Sequence, residues 1–143
     1  MRARLIPCVL AALVVAGCGG GKSDEDRVRE TLERLEKAVA AKDYRALCDD
    51  ILSRELVTRL RSVGLPCPVA LQRGLGNVQA PTLDVLTVRL RNDRLALAEV
   101  RTSARGQRPS TDTFRLLKEG ERWRVGSLSG AQPPAPQGPR EEP

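Results

Sequence analysis

Few side chains in this chain of 143 residues are equipped for chemistry, and their spacing does not suggest catalysis. There is no histidine, which removes the commonest general base near neutral pH and the commonest metal ligand. Aromatic residues make up 2% of the chain: Tyr44, Phe114 and Trp123. Carboxylates are plentiful, but Asp49 and Asp50 are adjacent, so a helix would point them in different directions and spacing alone makes no acid–base dyad of them. Glu99 is a candidate pocket acid because the strand pattern sets it on an apolar face, where burial would raise a carboxyl pKa. For Glu99 the plainer reading is an apolar face that has run out to the sheet edge. These residues assign no catalytic role and imply no cofactor and no metal site. What remains is four cysteines, Cys8, Cys18, Cys48 and Cys67, whose roles depend on the segments that carry them.

The first two belong to the N-terminus. Arg2 and Arg4 precede an apolar run from Leu5 to Val14, of signal-peptide length and short of the about 20 residues a spanning helix needs. The run closes as Val15-Ala16-Gly17-Cys18, which resembles the bacterial lipobox, with valine where leucine is favoured. The resemblance implies that residues 1–17 are a cleaved signal peptide and that the Cys18 thiol takes a diacylglycerol and becomes the first residue. The alternative is a plain secretory signal with a chance cysteine. Two or more acyl chains give stable anchoring where one is marginal. Residues 18–23, with three glycines, then form a short lipidated tether, and membrane lipid is a partner through Cys18. The expected location is the cell membrane, lipid-anchored, on its extracytoplasmic face. With Cys8 removed and Cys18 lipidated, Cys48 and Cys67 remain, and in an oxidising compartment the simplest outcome is a disulfide. Two buried free thiols are the alternative; a metal pair would need more ligands than the sequence offers.

The charge balance adds little. The formal net charge is +6, and subtracting Arg2 and Arg4 leaves +4 on the mature chain. The arginines are scattered among acids, aromatics for base stacking are missing, and the chain reads as exported, so nucleic acid is not an expected partner.

The elements divide into a helical half and a sheet half. Ser23 and Asp26 have capping-box spacing, and Val28, Leu32, Leu35 and Val39 recur along one face of a helix reaching about Ala41, with Glu36 among the residues of the solvated face. Asp43 is placed to cap a short second helix through Leu52, and Ser53 a third with Leu56, Val57, Leu60 and Val63 inward and Gly64 as its stop. Beyond Pro66-Cys67-Pro68, residues Val69 to Leu75 suit one or two further helical turns, which a Cys48–Cys67 bridge would pin to the second helix. From Pro81 the pattern turns to strands: Thr82–Arg91 and Arg94–Thr102 around Asn92-Asp93, then Thr113–Lys118 and Arg122–Leu128 around Glu119-Gly120. A two-residue turn at Asn92-Asp93 would set Leu90 opposite Leu95, Val88 opposite Leu97 and Glu99 opposite Leu86. Residues 131–143 are proline-rich and end in acids, the composition of a disordered tail.

Two stretches resemble a known family. Phe114-Arg115-Leu116-Leu117-Lys118-Glu119-Gly120-Glu121-Arg122-Trp123-Arg124-Val125 resembles the last hairpin of nuclear transport factor 2-like (SnoaL-like) domains. The run Ala38 to Cys48, with its Lys42-Asp43-Tyr44, is similar to their junction between helices one and two. The resemblance implies an α+β fold over residues 24–130: N-terminal helices packed on a curved antiparallel sheet, a cone of the cystatin-like kind with a pocket at its open end. The chain departs from it in lacking an obvious hairpin between the early helices.

That fold serves enzymes and binding domains alike, so the fold does not decide the function. The leading expectation is a non-enzymatic envelope lipoprotein whose cone binds a small apolar ligand or an envelope protein. A second is an exported isomerase or dehydratase using a pocket carboxylate, for which the resemblance leaves Asp84, Glu99 and Asp112 as possible pocket acids. A third is a membrane-proximal structural or regulatory module acting through its helical face or its proline-rich tail.

Overall fold

The computed structural model describes residues 21–62 and 64–127. The signal segment, Cys18, Val63 and the proline-rich tail lie outside the described residues. The fold is α+β, with four α-helices and one short π-turn preceding a four-stranded antiparallel sheet.

Helix α1 (Asp24–Ala40) begins with both halves of the capping box: the Asp26 amide donates to Ser23 Oγ, and the Ser23 amide to the Asp26 carboxylate. Val28, Leu32 and Leu35 are buried along its inner face, joined by Thr31 and Ala38, with Val39 partly covered. The second helix differs from expectation. Only Tyr44–Ala46 (α2) is α-helical, capped by Asp43, and residues Leu47–Ile51 run on as a π-turn closed by the Leu52 amide donating to Leu47 O at 2.8 Å. Leu47, Cys48 and Ile51 all point inward. Leu52 then forms a parallel bridge with Val125, so the chain meets the sheet edge before helix α3 (Arg54–Ser62) begins, its first turn capped by Ser53 Oγ. Helix α4 starts earlier than expected, spanning Cys67–Leu75. A disulfide joins Cys67 to Cys48, 19 positions back, with the Cα atoms 6.1 Å apart, and pins α4 to the π-turn.

The strands are β1 (Thr82–Asn92), β2 (Leu95–Ser103), β3 (Ser110–Glu119) and β4 (Arg122–Ser127), in meander order. Strand β3 starts three residues earlier than the sequence suggests. The register of the first hairpin also differs. Asn92 pairs with Leu95, Leu90 with Ala96 and Val88 with Ala98, with an irregularity between Leu90 and Asn92. The extra residue, Arg91, is a β-bulge, and one inserted residue reverses the face assignment of everything beyond it. The inward residues of β2 are therefore Ala96, Ala98 and Val100, all fully buried, while Leu95 and Leu97 stand on the other face. Helix α1 packs chiefly against β1 and β4. Phe114, Leu116, Trp123 and Val125 complete the core from β3 and β4. A second bulge at Leu86 leaves that side chain 47% exposed.

Candidate binding cavity

At one end of the molecule the inner sheet face and α1 diverge, leaving a cavity of about 250 Å³. One wall is the second half of α1, through Leu35, Glu36 and Val39. The opposite wall is the start of β1 and of β3, through Leu83 and Phe114. Leu75 and Val78, at and just past the end of α4, close the third side, and Ala104, Gln107 and Arg108 of the β2–β3 loop form the rim.

Local bonds hold this rim in place. The Arg105 amide donates to Gln79 O at 2.8 Å, tying the β2–β3 loop to the α4–β1 connection, and Lys42 Nζ donates to Gly76 O at 2.9 Å from the α1–α2 junction. Just beyond those ties Ala80 adopts φ +45°, a left-handed conformation costly for a residue with a Cβ, and Pro81 then leads into β1. The hydroxyls of Thr82 and Ser103 lie 2.6 Å apart, and those of Thr102 and Ser110 3.1 Å apart, so the strand ends present a row of hydroxyls beside an otherwise apolar lining. The cavity is thus apolar within and polar at its mouth, the usual division of labour in a ligand pocket.

None of the three sequence-predicted pocket acids lines this cavity. Glu99 is exposed on the outer face, opposite Thr87 and Thr113, and accepts a long hydrogen bond of 3.4 Å from Thr87 Oγ1. The bulge at Arg91, which resets the pairing of β1 with β2, sets it opposite Thr87 and not Leu86. Asp84 is exposed and pairs in register with Arg101. Asp112 is half-buried opposite Val100 and accepts from Ser110 Oγ at 2.8 Å, one bond away from the rim. The carboxylate that does line the cavity is Glu36, which the helical pattern assigned to solvent. Its signal was available: Leu32 and Ala40 stand four residues to either side, so this acid has no basic neighbour at helical spacing. Tyr44 packs against the core beside α4, its buried hydroxyl without a hydrogen-bond partner.

A larger and more polar depression, of about 410 Å³, is lined by Asp49, Arg54, Thr58, Arg61 and Arg124, where Arg124 donates to Asp49 O at 2.8 Å and pairs with Glu119 at 3.4 Å. Among the described residues no three His, Cys, Asp or Glu side chains gather as a metal site would require. No protein-family model matches the chain, and no curated protein matches it.

Proposed function

We propose that this protein is an exported lipoprotein, held by a lipidated Cys18 on the extracytoplasmic face of the cell membrane, whose nuclear transport factor 2-like cone binds a small, largely apolar ligand without catalysing a reaction. The observation that carries the binding reading is the apolar cavity between α1 and the starts of β1 and β3. The cone reading is supported by the order of elements and by bulges in β1 and between β3 and β4, the device by which sheets bend around a helix. The binding reading is favoured over a carboxylate-dependent enzyme because Asp84, Glu99 and Asp112 all lie away from the cavity lining and Glu36, the carboxylate in it, has no second acid beside it there.

The test is native mass spectrometry of the full-length protein extracted in mild detergent, beside a Val78→Arg variant. Val78 lines the cavity from the α4–β1 connection and is not part of the buried core, so a charge there blocks the site while leaving the fold intact. The expected result is a small adduct on the wild type that the variant loses while keeping its disulfide and circular dichroism spectrum. A wild type that carries no adduct and binds no apolar fluorophore would sink the proposal.

A further inference from the structure

We infer that the cavity takes a single-chain amphiphile with a zwitterionic head, its anionic group held by Arg108 and its cationic group by Glu36. This rests on the reading of the cavity as a binding site and adds the class of ligand. Two charged side chains line the cavity; they are opposite in sign and come from different elements, Glu36 from α1 and Arg108 from the β2–β3 loop. Among the described residues neither forms an ion pair or a side-chain hydrogen bond. A carboxylate and a guanidinium in the lining of one cavity, with apolar side chains making up most of its walls, suit a ligand that brings both complements.

The remaining polar groups agree. Ser110 donates to Asp112, Thr102 to Ser110, and one of Thr82 and Ser103 to the other, which leaves one hydroxyl proton of the Thr82–Ser103 pair to donate to an anionic head beside Arg108. Asp112 lies behind Ser110 and Arg105 lies in the same loop as Arg108, so the neighbourhood is balanced in charge, which favours a dipolar head over one of single sign. Size sets the tail. At about 250 Å³ the cavity falls below the range of about 300–1,000 Å³ usual for ligand pockets, room for one short chain and not for a two-chain lipid.

The experiment is calorimetric titration of the full-length protein in mild detergent with four probes sharing a decyl chain, each kept below its micelle concentration. Lysophosphatidylethanolamine carries a zwitterionic phosphate head, decyl betaine a zwitterionic carboxylate head, the fatty acid an anionic head and the monoacylglycerol a neutral one. The inference expects at least one zwitterion to bind about tenfold tighter than the fatty acid and the monoacylglycerol. Preference for the phosphate head points to a membrane-derived ligand, and preference for the betaine to a soluble one. Glu36→Gln should weaken the zwitterion and strengthen the fatty acid, whereas Arg108→Gln should weaken both. Equal or tighter binding of the fatty acid or the monoacylglycerol would overturn the charge assignment while leaving the cavity as a binding site. Binding of none of the four would overturn both readings.

Discussion

Asp24 joins three parts of the molecule through one carboxylate. It opens α1, accepts the Trp123 indole N–H at 3.0 Å, and holds Lys118 Nζ at 3.0 Å, with the Lys118 ammonium 5.7 Å from the centre of the Trp123 ring. A few residues on, Thr31 Oγ1 donates to Trp123 O at 3.1 Å, so helix and last hairpin are bonded twice over. The hydrogen bond from Trp123, then that from Lys118, hold the Asp24 carboxyl below its ordinary value of 3.8. A depressed folded pKa contributes stability that is present above the unfolded value and disappears as the pH falls through the folded one, so the effect belongs below about 3.8. Asp26, lowered by Ser23, shares that window, and Glu30, lowered by Lys22 from an ordinary value of 4.5, loses its contribution below about 4.5. Thermal melts of Asp24→Asn between pH 7 and pH 2 should therefore show a lower Tm than wild type at neutral pH and a gap that closes in acid. The variant's own decline should be shallower but not absent. A gap of constant size would assign the effect to lost packing.

At the scale of elements, the disulfide and the π-turn form one device. The π-turn rotates Cys48 inward toward Cys67 and delivers Leu52 to Val125 at the edge of β4, and the Ser53 amide donates to Val125 O at 2.9 Å. Closing a loop of this size contributes about 3 kcal/mol in the chain-entropy model. Reduction, or the paired Cys48→Ser and Cys67→Ser variant, should lower Tm by on the order of 10 °C or more in a domain this small. An unchanged Tm would mean that the bridge is not formed in solution. Helix existence, the capping box and the apolar stripe of α1 were legible in the sequence because each is a local, periodic signal. The register of β1 was not, because a bulge is one residue long and leaves the alternation of Val88 and Leu90 looking intact on either side. The same blindness hid the π-turn, whose extra residue sits among apolar residues on both flanks. The cavity was only half legible: its apolar walls follow from the α1 stripe and the strand starts, but Glu36 reads as part of a solvated helix face, and no local pattern shows that the fold brings it and Arg108 to the lining of one cavity.

Across the whole molecule, the two ends differ. Asp24 lies against Lys118 and Trp123, beside the β3–β4 turn, while the cavity lies where β1 starts, β2 ends and β3 starts. Helix α1 runs between these ends for 17 residues, about 25 Å. An anchor at Cys18 would therefore enter at the end away from the cavity. Cys18→Ala should move the protein from the membrane fraction to the soluble fraction and remove the lipid mass from its N-terminus, with Tm unchanged. A variant that stays with membranes without a mass difference from wild type would rule the anchor out. Among the described residues no helix is long and apolar enough to cross a membrane, so the Cys18 lipid is the attachment on which this reading depends.

The Cys48–Cys67 bridge also has a consequence for timing. It fastens α4, and the end of α4 carries Leu75 and leads to Val78, the third wall of the cavity. A newly made chain with both thiols reduced holds that wall by packing against α2, α3 and the π-turn and by the Lys42–Gly76 and Arg105–Gln79 hydrogen bonds. Oxidation completes the wall, so in an exported chain the ability to hold a ligand would mature with arrival in the compartment where the ligand is met. Covalent chemistry at two cysteines would then keep the protein from taking up cellular amphiphiles on the wrong side of the membrane.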